Sequence, residues 1–125
     1  MVSKTVELRK IVEMLLKEVN NNVYYVEATN KSPFPYIVFD FNTVDLNNYP
    51  REDVFLVVDV WDKSDDTMII ENLADDIEKK LNRLNYPTAT VLPTFFLSTR
   101  YNLSDENKLL KRRQLRFEIQ NYERS

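Results

Sequence analysis

The chain has 125 residues, a formal net charge of −3, 43% hydrophobic and 30% charged residues, and no glycine, histidine or cysteine. These values fit one globular domain over residues 1–125, with enough apolar content for a core that needs no disulfide. They exclude imidazole and thiolate chemistry and glycine-built phosphate or dinucleotide loops, so the sequence points to binding or assembly and not to an enzyme or a cofactor site.

The first predicted element is an amphipathic helix over residues 4–19. Leu8, Ile11, Val12, Leu15 and Val19 form its apolar stripe, with Ser3 as N-cap and Asn20-Asn21-Asn22 ending it. Met1 to Lys17 holds no long apolar run, so no secretory signal is expected there. No apolar run is long enough to cross a bilayer, so no membrane partner is expected. Val23 to Ala28 reads as a short strand.

Ser32-Pro33-Phe34-Pro35 is a stiff, extended lead into a second strand, Tyr36 to Val44. Asp45 to Pro50 reads as a polar turn region. Asp53 to Asp62 carries the strongest strand signal. Its even positions Val54, Leu56, Val58 and Val60 are aliphatic and face a core, while its odd positions Phe55, Val57, Asp59 and Trp61 are mixed.

Ser64-Asp65-Asp66 opens a second helix that runs to Leu84 on a stripe of Ile70, Leu73, Ala74, Ile77, Leu81 and Leu84. Thr88 to Tyr101 is strand-prone but holds Pro93, which predicts two short pieces or a bulged edge strand. Asn102 to Asn107 reads as a polar loop. Lys111 to Tyr122 closes the chain as a strand, with Leu115, Phe117 and Ile119 inward and Arg112, Gln114, Arg116, Glu118 and Gln120 outward.

The order is α-β-β-β-α-β-β. It predicts an α+β two-layer sandwich: a mostly antiparallel sheet of about five strands with two helices packed on one face. With no glycine, asparagine is the next best residue for left-handed turns, and it recurs at expected turns such as Asn20–Asn22, Asn30, Asn47-Asn48, Asn85 and Asn102. Base composition explains the missing glycine more simply than function does.

Three groups of residues invite a chemical reading. Asp62, Ser64 and Asp66 have the spacing of a calcium-loop start, but Thr67 and Leu73 stand where that loop needs glycine and glutamate, so they read as helix capping. Asp66, Glu71, Asp75, Asp76 and Glu78 make an acidic helix face, read as solvated surface or as a contact for a basic partner; a Mg²⁺-dependent hydrolase or nuclease is the weaker alternative. Lys108, Lys111, Arg112, Arg113 and Arg116 form the one basic cluster. They read as salt-bridging residues within or between subunits, with phosphate contact as the alternative.

The odd face of the third strand is the most unusual feature. Phe55, Val57 and Trp61 would leave a broad apolar surface if that sheet face were bare, and monomers rarely leave such a patch uncovered. Two covers fit the sequence equally: the Thr88 to Tyr101 segment, or another subunit.

The element order and several local motifs resemble the small phage tail-terminator (tail-completion, head–tail joining) proteins. The resemblance is carried by the N-terminal helix, by Val23-Tyr24, and by Ser32-Pro33-Phe34-Pro35-Tyr36-Ile37-Val38-Phe39. It continues in Val58-Asp59-Val60-Trp61 with the helix that follows, and in the closing strand Arg113 to Tyr122. Relatives often carry a glycine in the turn before the second strand, which this chain lacks.

The resemblance implies a structural virion protein. Its copies would form a hexameric ring at the head-proximal end of a tail tube, stop tube polymerisation and join the tube to a head connector or stopper protein. It implies a place in the virion neck, assembled in the bacterial host's cytoplasm, with DNA passing through the lumen without specific binding. The sheet face bearing Phe55, Val57, Asp59, Trp61, Arg112 and Arg116 would be sealed by the neighbouring subunit. The 45–52 and 101–112 loops would meet the tube and connector through Asn47, Asn48, Tyr49, Arg51, Tyr101, Asp105, Lys108 and Lys111. A neck connector or stopper is the alternative within that class, and a small nucleic-acid-binding protein the alternative outside it.

Overall fold

In a computed structural model, which describes residues 4–29, 31–48, 51–104 and 107–123, the chain forms two helices and five strands. They are α1 (Lys4–Lys17), β1 (Val23–Tyr25), β2 (Tyr36–Asn48), β3 (Arg51–Lys63), α2 (Met68–Leu81), β4 (Val91–Ser104) and β5 (Leu110–Glu123). The strands make one sheet in the order β1-β2-β3-β5-β4. Only β1 and β2 are parallel; every other pairing is antiparallel. The expected α+β sandwich, with its order α-β-β-β-α-β-β, is therefore observed.

Both helices lie on one face of the sheet. The predicted stripes point there: Leu8, Ile11, Val12 and Leu15 of α1 are buried, joined by Leu16, and Ile70, Ala74, Ile77 and Leu81 of α2 are fully buried. Opposite them lie Val54, Leu56, Val58 and Val60 of β3 and Leu115, Phe117 and Ile119 of β5, the residues that period two placed inward. Phe39, Phe95 and Phe117 are the largest fully enclosed side chains. Removing such aliphatic and aromatic surface from water is the main force that favours the fold.

Several boundaries differ from the sequence expectation, each for a local reason. The polar stretch expected to turn at 45–50 is largely strand: Val44 pairs with Val54, Asp45 with Asp53 and Asn48 with Arg51. Cross-strand pairing next to long apolar strands outweighs the polar composition. The same holds at the other hairpin, where Asn102 lies within β4 and pairs with Arg113.

Helix α2 stops at Leu81 instead of Leu84, because the chain beyond it bonds to β4. Arg83 N donates to Phe95 O at 2.6 Å, Phe95 N to Leu84 O at 2.8 Å and Tyr86 N to Pro93 O at 2.9 Å. At its start the N-cap is Thr67, whose side chain makes no capping bond; Asp66, one residue earlier, accepts the Met68 amide through Oδ1 at 2.9 Å, so the Ser64-Asp65-Asp66 run leads into the helix without supplying its cap residue. The N-cap expected at Ser3 lies outside the described residues.

Pro93 sits in β4 at the sheet edge, and a register shift between Leu97 and Thr99 bulges the strand, as a proline-bearing edge strand should. The turn leading into β2 contains a cis Phe34–Pro35 bond. Asn20 and Asn22 both donate side-chain amides to Pro35 O, at 3.0 and 3.3 Å.

Among the described residues, asparagine takes no left-handed position; Asn30 lies outside them. The described left-handed positions fall to Val26 (φ 72°) and Arg83 (φ 64°). Val26 ends β1 three residues earlier than expected, yet its amide still donates to Phe39 O at 2.9 Å. A β-branched residue in that region is strained by roughly 1–3 kcal/mol, which the surrounding pairing must hold.

Candidate functional site: the bare sheet face

The second face of the sheet carries no helix. Cross-strand register builds it in rows: Tyr36, Trp61, Arg112 and Leu103; then Val38, Asp59, Gln114 and Tyr101; then Asp40, Val57, Arg116 and Thr99; then Phe55, Glu118 and Phe96. Of the two covers that the sequence allowed, the internal one is absent. The strand part of Thr88 to Tyr101 pairs with β5 as an edge and does not fold across the face.

Aromatic rings crowd one end of this face. Tyr36 stacks on Trp61 at 6.3 Å between centroids, Tyr24 meets Tyr36 edge-on at 6.0 Å, and Phe34 lies 5.2 Å from Tyr36. Partial burial raises the Tyr36 phenol above its ordinary pKa, and the neighbouring Tyr24 adds to the rise. At the other end, Phe55 and Phe96 flank Glu118 and are 36% and 37% exposed.

A polar network crosses the middle. Asp59 Oδ1 accepts from Arg112 Nε at 3.1 Å and from Gln114 Nε2 at 3.1 Å, and Arg112 Nη2 lies 3.0 Å from the same oxygen. Arg116 Nε donates to Gln114 Oε1 at 3.0 Å. The guanidiniums of Arg112 and Arg116 lie over the rings of Trp61 (4.9 Å) and Tyr101 (5.0 Å). Beside the network is a cavity of about 400 Å³, with Val26, Val38, Asp40, Val57, Gln114 and Arg116 in its lining. The proposed interface residues Phe55, Val57, Asp59, Trp61, Arg112 and Arg116 thus share one bare surface. Half-exposed rings and pre-oriented charged groups equip it for binding.

The basic cluster does not stay together. Arg113 turns to the helix face and pairs with Glu71, at only 8% exposure. Arg100, which sequence reasoning passed over, reaches the same helix: it contacts Asp75 at 2.7 Å, Glu71 at 3.2 Å and Glu78 at 3.6 Å. The acidic face of α2, read from sequence as solvated surface or a contact for another protein, is thereby tied in part to its own sheet. Alternation could not have found it: Phe95 and Leu97 face inward, and only the register shift between Leu97 and Thr99 brings Arg100 to the same face, opposite Leu115.

The residues expected in tube- and connector-contacting loops fall at opposite ends of the sheet. Arg51 starts β3, where it pairs with Asp53 at 2.9 Å. Asn47 and Asn48 belong to β2, and Tyr49 lies outside the described residues. At the far end, Tyr101 is within β4 instead of a loop, Lys108 precedes β5, Lys111 lies inside it, and Asp105 is outside the described residues. The 13 residues of β3 set these ends about 40 Å apart. Among the described residues no group of three or more acidic, His or Cys side chains is arranged to hold a metal. No described helix is long and apolar enough to cross a membrane.

No family model matches the chain, and no curated protein does. Solved structures do. One is a chain from the virion of a native gene transfer agent particle, with a TM-score of 0.63 at 12% identity, covering 95% of this chain and 92% of that one. The two chains share their fold over nearly their whole lengths.

Proposed function

We propose that the protein is a structural protein of a phage-like virion, a ring-forming subunit of the tail-terminator type. The observation that carries this reading is the end-to-end fold likeness to a chain of a gene transfer agent virion. It agrees with the bare sheet face, which offers aromatic and charged groups to another protein and no arrangement for chemistry. In this role the ring caps the tail tube, stops its polymerisation and joins it to the head connector in the virion neck. The protein acts without catalysis, and DNA traverses the lumen without specific contacts.

Identical subunits closing a ring repeat one heterologous contact. The face bearing Phe55, Val57, Asp59, Trp61, Arg112 and Arg116 is turned to the neighbour in that contact. The two sheet ends, with Arg51 at one and Lys108 and Lys111 at the other, meet tube and connector. Two partners on opposite sides of a ring need two separated contact regions, which the antiparallel hairpins supply.

The test is mass by light scattering, alone and with purified tail-tube protein of the same particle. Wild type is expected to reach a ring mass. Phe55→Ala combined with Trp61→Ala is expected to melt cooperatively as a monomer. If that double variant unfolds instead, the side chains belong to the core and the face assignment falls. A wild-type monomer under both conditions overturns the ring itself.

A further inference from the structure

The two edges of the sheet differ in how the chain protects them. Over Val91–Leu97 the chain covers the outer side of β4 itself. Phe95 exchanges backbone hydrogen bonds with Arg83 and Leu84, Pro93 O accepts from Tyr86 N, and Leu97 N donates to Asn82 Oδ1 at 2.9 Å. Pro93 has no amide to offer. Past the register shift, Thr99, Tyr101 and Leu103 pair with Arg116, Gln114 and Arg112. Alternation then turns the backbone of Arg100 and Asn102 outward. Among the described residues, no backbone hydrogen bond covers that half of the edge.

At the opposite edge, Asn22 and Val26 bond to β2 through Ile37 N at 2.8 Å and Phe39 O at 2.9 Å. The same alternation turns the backbone of Val23 and Tyr25 of β1 outward, with Val23 only 8% exposed; the described backbone bonding there is one tight turn from Glu27 N to Tyr25 O at 2.9 Å.

These two open stretches lie at the same level of the sheet. Tyr24 is in register with Val38, Val38 with Asp59, Asp59 with Gln114, and Gln114 with Tyr101. They also run in opposite directions, since one parallel and three antiparallel pairings separate β1 from β4. Unprotected edges of matching level and opposite direction are templates for antiparallel pairing.

We propose that copies of this chain join edge to edge, with the open half of β4 (Ser98–Leu103) pairing antiparallel to β1 of the next copy. This rests on the ring reading above and adds a backbone seam at the sheet edges to the face contact made with the same neighbour. Each copy uses two different edges, so the contact is heterologous and propagates head to tail. Bare faces continue across the seam, with Tyr101 of one copy in the row of the neighbour's Tyr24. The neighbour's Val26 and Phe34, 53% and 41% exposed, come beside the Arg112–Arg116 side of the face.

The absence of native cysteine makes the test direct. Tyr24→Cys is combined in turn with Thr99→Cys, Tyr101→Cys and Leu103→Cys, all on the bare face. Within one chain, four strand spacings, about 19 Å, separate these positions. A disulfide spans roughly 4.4–6.8 Å between Cα atoms, so any bond joins different copies.

After mild oxidation of protein at ring mass, at least one pair is expected to give a ladder of trimers and larger species on non-reducing gels, and no single-cysteine variant is. In parallel, Asn102→Pro is expected to keep a wild-type melting temperature and lose the ring mass. A ring mass without any ladder, a ladder ending at dimers, or an intact Asn102→Pro ring overturns the edge contact and leaves the ring reading standing. A wild-type monomer at every concentration, with and without tail-tube protein, overturns both.

Discussion

The two faces of the sheet are built from the same strands, offset by a single residue, and they do different work. On the helix face, Phe39, Val58 and Leu115 align in one row and are fully buried. One position along, Val38, Asp59 and Gln114 align in a row that mixes an aliphatic group with a hydrogen-bonded carboxylate and amide. The helix face therefore holds the fold, and the bare face is free to specify contacts. The sharpest way to break that division is to remove one large ring from each face. Phe117→Ala, at a fully enclosed position, is expected to cost about 3–5 kcal/mol. Phe55→Ala, at a site 36% exposed, is expected to cost about 1 kcal/mol or less. Urea midpoints compare them directly, and equal costs would mean that the bare face is part of the core.

The arginines of β5 make the same contrast on a smaller scale. Arg113 is buried against α2 and paired with Glu71, whereas Arg116 lies on the bare face with Gln114 and Tyr101. Arg113→Ala removes a charge-assisted contact between helix and sheet and is expected to cost about 1.5–2 kcal/mol. Arg116→Ala is expected to stay within about 0.5 kcal/mol, since exposed charges contribute little to folding. Under the proposed ring, its effect is expected in assembly, read as a fall in ring mass at unchanged melting temperature. A large stability loss from Arg116→Ala would place that network in the fold and not in recognition.

Period two explains how much of this was legible. It assigned Val54, Leu56, Val58 and Val60 to one face and Phe55, Val57, Asp59 and Trp61 to the other, because every β3 residue must point one way or the other. The same rule, continued past the aliphatic residues, would have sent Arg113 to α2, but not Arg100, whose facing is reversed by the register shift between Leu97 and Thr99. Grouping Lys108, Lys111, Arg112, Arg113 and Arg116 by sequence proximity hid that split. Element ends were less legible, because long-range bonds decide them. Leu84 is helical in pattern, but its carbonyl accepts from Phe95 N at 2.8 Å, which holds it along β4. Which residues occupy the left-handed positions was not legible either. Val26 has no intrinsic preference for φ 72°, and its place is dictated by the Phe39 carbonyl that its amide must reach. The edge asymmetry depends on these same bonds from Arg83, Leu84 and Tyr86, so no local pattern announces it.

The smallest expected effect sharpens the comparison through pH. Tyr36 belongs to the bare face, and its phenol is raised above the ordinary value of 10.0, first by burial and then by Tyr24. The folded state thus holds the Tyr36 proton more tightly than the unfolded chain does. The associated stability is fully present below about pH 10 and is lost as pH rises through the raised value. Thermal melts at pH 8.5 and 10.5 are expected to show a smaller alkaline drop for Tyr36→Phe than for wild type, with equal stability at the lower pH. Lysines and six other tyrosines ionise in the same range, so the difference between the two proteins, and not either drop alone, reports Tyr36. If ring mass falls over the same alkaline range in wild type and persists in Tyr36→Phe, the aromatic end of the bare face is coupled to assembly. If the two proteins lose stability in parallel, the strain of ionising Tyr36 is relieved by solvent, and that end of the face is open in the folded monomer.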